Sequence, residues 1–251
     1  MCTYLSKQEQ KPNGKETFGM VTIFVILKIV ITVVGGIGAG LLTRYVFNRI
    51  PAKWLCDYNE EPSHEMWGTR ISKRPWDAVF VLVFAAAALK LTQISLLYSI
   101  PGLAAIWLLV QIGIADWKYM IIPDQFVVAL AATALGFIPF QDSFSAQLLG
   151  AVAGGGSMLL IGIFGTLLLG KEALGFGDVK LMSAVGLICG LQGTAIVFVL
   201  TIFSSALVFA VGLISGKLKT TDQRPQGPFI VAAAAIYILF YQELGVFVSL
   251  F

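Results

Sequence analysis

Apolar residues in this chain fall into long runs separated by short polar stretches, the pattern of helices that cross a membrane. The first run covers about Phe18 to Phe47 and carries Gly35, Gly36, Gly38 and Gly40, which would let a neighbouring helix approach closely. The second covers about Trp76 to Tyr98. Pro101 and Gly102 then predict a turn into a short third span, Gly102 to Ala115. A fourth runs from Gln125 to Phe140, and a fifth from Ser145 to Leu169 with Gly154, Gly155 and Gly156 inside it. The sixth follows Asp178 and ends near Gly190, the seventh runs from Thr194 to Ser215, and the eighth from Pro228 to Leu250. The predicted fold is therefore all-α, a polytopic bundle of about eight transmembrane helices. The first apolar run is too long for a cleaved signal peptide and reads as a retained helix.

Charge placement orients these spans. With Arg44 to Arg74 on the cytoplasmic side, alternation also puts Asp116 to Asp124, Lys171 to Lys180 and Lys217 to Arg224 there, and every one of these segments carries Lys or Arg. The connections near Ser99, Gln141 to Ser143 and Leu191 to Gly193 carry neither. This is the positive-inside distribution. The N-terminal tail, with Lys7, Lys11 and Lys15, runs against it. Lys28 and Lys90 lie within apolar spans and are expected to snorkel to an interface.

Composition narrows the class further. Hydrophobic residues make up 57% of the chain and charged residues 12%, and the charged share is about half that of a soluble domain. The longest polar stretch, Arg49 to Pro75, is too short to build its own core. Cys2, Cys56 and Cys189 are widely spaced and His64 is the sole histidine, so neither a zinc site nor a disulfide framework is visible.

Against this background two carboxylates stand out. Asp178 follows Leu174-Gly175-Phe176-Gly177 at the start of an apolar run, and Asp116 directly follows the run Ile106 to Ala115. A carboxylate beside lipid is costly and usually functional. The topology puts both at helix ends on one side of the membrane, where water can reach them. Two such groups a few ångströms apart cannot both ionise easily, so they share one proton and titrate as a unit. That is what amide hydrolysis by an aspartyl pair requires. Gly175 and Gly177 would let substrate backbone or the other aspartate's helix come close. Asp124, after Ile122-Pro123, competes with Asp116 for the first position, and its other use is as N-cap of the helix from Gln125. An N-cap is also the structural alternative for Asp178. Lys118 and Lys180 are expected to anchor at headgroups.

At these residues the chain resembles the type IV prepilin peptidases, the GxGD family of aspartyl proteases. Lys171 to Met182 follows the family's signature, and Asp116 to Asp124 fits its upstream aspartate motif with the Ile-Pro-Asp ending. Gln226-Gly227-Pro228-Phe229 is similar to the Gly-Pro-Phe run before the last helix, and the glycines leading to Arg49-Ile50-Pro51 to the family's first span. The resemblance implies a membrane aspartyl endopeptidase that removes short basic leader peptides from prepilins or pseudopilins at the cytoplasmic face of the bacterial inner membrane. Asp116 and Asp178 would be catalytic, with Gly175, Gly177, Lys180, Asp124, Pro123, Gly227 and Pro228 supporting them or binding substrate. Residues 1–75 would form a reduced N-terminal region and 76–251 the peptidase domain. The partners implied are the prepilin substrate and membrane lipid, with no nucleic acid.

No cofactor or metal is implied for proteolysis. Bacterial members often also methylate the new N terminus with S-adenosylmethionine, and many carry two CxxC pairs in the first loop, thought to hold zinc. Here residues 51–62 contain Cys56 alone, so zinc is not expected and methylation is left to the loop that remains. The loop acids Asp57, Glu60, Glu61 and Glu65 could meet leader lysines. A proton- or ion-coupled transporter would use Asp116 and Asp178 as a relay, but its duplicated halves are not visible. A presenilin-like protease would carry a Pro-Ala-Leu motif near its C terminus, and none occurs.

Overall fold

The computed structural model describes residues 14–56, 60–170, 174–216 and 224–248. Among them lie eight α-helices and no strand: α1 (Gly14–Arg49), α2 (Trp76–Ile94), α3 (Leu96–Tyr119), α4 (Asp124–Thr133), α5 (Phe144–Leu169), α6 (Phe176–Ile214), α7 (Gly227–Leu239) and α8 (Tyr241–Val248). Five segments, Ile23–Arg49, α2, α3, Phe144–Leu168 and α6, are long and apolar enough to cross a membrane. The all-α bundle of a multi-pass membrane protein is borne out. Lys7, Lys11, Asp57 and the signature residues Lys171 to Ala173 lie outside the described residues.

The core runs through α3, α4, α6 and α7. Leu109, Ile112, Leu130, Leu181, Ile188, Ile230 and Ala234 from these helices are fully buried against one another. Large apolar side chains such as Phe24, Leu82, Phe164 and Phe203 point outward, as lipid-facing positions of a bundle do. α1 packs on α2 through Gly36 and Gly40. A Cβ on Gly40 would sit 2.6 Å from Val81 Cα, and one on Gly36 would sit 2.6 Å from the Phe84 carbonyl oxygen. Gly38 faces open space and Gly35 touches only the tip of Leu103, so two of the four glycines make the helix contact.

The break inside α6 shapes the site. Gly190 has φ 68° and ψ −179°, a conformation open essentially to glycine alone. Position 154 of α5 lies against both Met182 and Thr194, so the chain turns back on itself at Gly190. The two arms are the predicted sixth and seventh spans.

Other boundaries differ from expectation. α2 and α3 part at Ser95, not at Pro101-Gly102. Ser95 is extended (φ −167°, ψ 159°) and its Oγ accepts the Tyr98 N–H at 3.0 Å, so a side-chain cap sets the boundary. Pro101 stays inside α3, its ring packed against Gly136, and the third helix is long. The predicted fourth span is α4 followed by a 3-10 stretch, Ala134–Phe140, and the predicted eighth is split into α7 and α8. The lysines within the spans have protein partners in place of simple snorkelling: Lys28 Nζ donates to the Thr92 carbonyl at 2.5 Å, and Lys90 pairs with Glu243 on α8.

Replacing Gly40 by Ala should destabilise the protein by about 1–3 kcal/mol, because the methyl group meets backbone that must move. Gly38→Ala should be neutral. Thermal unfolding of the two purified variants in detergent checks the contrast, and equal stability would contradict the assigned α1–α2 contact.

Candidate active site

Asp116 lies in the last turn of α3 and Asp178 in the first turn of α6. Only 5% of Asp116 and 8% of Asp178 is exposed, and Asp116 acts electrostatically on Asp178. The two carboxyls from distant parts of the sequence therefore share one buried region. Asp116 Oδ2 and Asp178 Oδ1 have no hydrogen-bond partner among protein groups. Burying an unpaired polar atom costs about 1–3 kcal/mol, so two together point away from a purely structural role.

The helix starts explain how each is held. The N-cap of α6 is Gly175, whose carbonyl accepts the Asp178 N–H at 3.1 Å. Asp178 is thus inside the first turn, and the capping alternative does not apply. Asp124 likewise is not a cap: Pro123 is the N-cap of α4, and its carbonyl accepts from Phe126 and Val127. Asp124 Oδ1 and Oδ2 instead accept from Lys180 Nζ at 2.8 and 2.9 Å. Lys180 is bound to protein in place of a headgroup. So is Lys118, whose Nζ donates to the Arg70 carbonyl at 2.5 Å.

The glycines divide the work differently from expectation. Position 177 packs on the Ile122 side chain, and position 175 stands beside the Asp178 carboxylate of its own helix. The backbone that approaches Asp116 is at Gly227, where an added Cβ would lie 2.5 Å from Oδ2 and 2.9 Å from Cγ. Gly227 opens α7, followed by Pro228 in the first turn, so its N–H has no intrahelical partner and lies against the Asp116 carboxyl. The Gly-Pro-Phe run therefore belongs to the carboxylate pair.

Arg70 escaped the sequence reading. It is buried, its Nη1 donating to the Phe47 carbonyl at 2.8 Å and its Nε to the Met66 carbonyl at 2.8 Å. Asn48 Oδ1 accepts the N–H groups of Arg70 and Ile71, each at 2.9 Å. These bonds fold the first loop onto the end of α1, and Lys118 ties it to α3. In sequence, an arginine in a polar loop looks like any solvated one.

Among the described residues no three His, Cys, Asp or Glu side chains are grouped as metal ligands, and the Cys56 thiol faces the carbonyls of Lys53 and Glu60.

Comparison with known proteins bears on the same helices. Residues 103–213, which include Asp116 and Asp178, match the model of the Type IV leader peptidase family. A prepilin leader peptidase/N-methyltransferase of Bacillus subtilis (strain 168) is 30% identical over 168 residues, 65% of this chain and 64% of that protein. One from Aeromonas salmonicida (strain A449) is 32% identical over 152 residues, 56% of this chain and 49% of that protein. One from Xanthomonas campestris pv. campestris is 27% identical over 140 residues, 54% of this chain and 48% of that protein. The chain thus spans 48–64% of the length of these curated relatives. No solved structure matches it significantly. The matched region encloses both aspartates and the helices that carry them, and over it the chain is similar to the Type IV leader peptidase family.

Proposed function

We propose that this protein is a membrane aspartyl endopeptidase that removes the basic leader of type IV prepilins or pseudopilins. The observation that carries the reading is the pair of buried carboxyls, Asp116 and Asp178, each with an oxygen that no protein group engages. One carboxylate takes a proton from water as the water oxygen attacks the scissile carbonyl. The other, protonated, donates to the carbonyl oxygen, and the proton taken from water passes to the leaving amine. Water is the only co-reactant, and no metal enters. No internal repeat is visible in the sequence, which favours this chemistry over a coupled transporter.

The face is read from charge. Arg44, Arg49, Lys53, Arg70, Lys73 and Arg74 stand on the same side as Lys118, Lys180 and Arg224, which supports a cytoplasmic site in the bacterial inner membrane. Leader peptides are cut there, just ahead of the substrate's apolar helix. The relatives' name also carries an N-methyltransferase, and methylation of the new N terminus remains the second step to test by the mass of the product.

Co-expression with a prepilin-like substrate, read by gel shift, tests the assignment. Asp116→Asn and Asp178→Asn should each lower cleavage by about 10²–10⁴-fold. Continued processing in either variant would sink it. Gly227→Ala should leave the bundle folded yet slow cleavage by about 10²-fold, since the methyl group displaces the Asp116 carboxyl. Mass spectrometry of the product N terminus decides the second activity, since a mass gain of one methyl group shows that methylation follows cleavage.

A further inference from the structure

The flank of α6 that faces away from Asp178 carries a second device. Successive positions on a helix are about 100° apart, so Lys180 projects about 200° from Asp178, whereas Gly177 and Lys180 lie on one side. That side meets the connection between α3 and α4. Ile122 packs on Gly177, and Asp124 binds Lys180 through both carboxylate oxygens. The same connection is fastened to the other aspartate: Met120, in the left-handed conformation at φ 54°, donates its N–H to the Asp116 carbonyl at 2.8 Å. A continuous path therefore runs from the Asp116 backbone through Met120, Ile122 and Asp124 to Lys180 and the helix turn that holds Asp178.

We propose that Asp124 and Lys180 form a positioning pair that fixes the separation of Asp116 and Asp178. This rests on the peptidase reading above. Of the three ion pairs among the described residues, it alone joins the two aspartate-bearing motifs; the others link α1 to α2 and α2 to α8. Its side chains are 37% and 32% exposed, so the pair adds little to global stability. Two hydrogen bonds from one ammonium to both oxygens do fix orientation. Neither side chain donates to or accepts from the catalytic carboxyls, so both act through the backbone they tie together.

The test uses the full chain in detergent with a prepilin-like peptide, measuring kcat, KM and thermal unfolding. Asp124→Asn and Lys180→Gln should each lower kcat about 10–100-fold with KM unchanged, the signature of lost transition-state alignment. The melting midpoints should stay at the parental value. Asp124→Lys combined with Lys180→Asp should recover most of the lost kcat, and Asp124→Glu should retain more activity than Asp124→Asn. Single variants with full kcat would overturn the proposal. So would a folded charge swap no more active than its single variants, and a raised KM confined to Lys180→Gln would mean that this lysine contacts substrate. Should a single variant fail to fold, the swap decides alone. Asp116→Asn run in parallel separates the two claims: if it still cleaves, the peptidase reading fails, whereas an inactive Asp116→Asn beside fully active Asp124 and Lys180 variants removes only the positioning pair.

Discussion

The organisation of this protein depends on keeping two carboxyls together inside an apolar bundle. Asp116 occupies the C-terminal turn of α3, where carbonyl groups already gather negative partial charge. A carboxylate there is unfavourable unless donors come close. The start of α7 comes close, and the first N–H groups of a helix have no intrahelical acceptor. The contact is possible only because residue 227 has no side chain. Asp178, in the first turn of α6, is at the favourable end of its own helix. The two acids thus occupy unlike electrostatic settings while sharing one region, an asymmetry that suits a pair whose members hold different protonation states.

Much of the fold could be read from the chain because membrane helices leave a coarse signature. The apolar runs located every helix of the bundle, and the glycine at 190 was correctly read as an end. The aspartates stood out for the same reason, as charges beside apolar residues. What the sequence concealed were the long-range partners. Pro101-Gly102 looked like the turn because proline and glycine are the strongest local signals, yet one hydroxyl at Ser95 captured an amide and moved the boundary upstream. Lys118 and Lys180 looked like headgroup anchors because nothing local marks a lysine whose partner lies elsewhere in the chain. Gly227 was legible only as part of a motif, and its actual neighbour, Asp116, is more than a hundred positions away.

Helix length bears on where the proposed chemistry would occur. The first arm of α6, from Phe176 to the break at Gly190, extends for only about 20 Å at 1.5 Å per residue. A hydrocarbon layer of about 30 Å is thicker than that. An arm this short leaves its first turn below the headgroups unless the bilayer thins around it. On the proposed reading, Asp178 then waits at the depth where a substrate helix enters the membrane, and the bond ahead of that helix can reach the pair without the helix leaving the lipid. A full-length arm would lift the carboxyls into bulk water, where their proton sharing weakens as the dielectric rises. A shorter one would deny them the water they must activate. On that reading the glycine turn at 190 would set how deep the acids sit, while the contacts at 122, 124 and 227 would set how far apart they are.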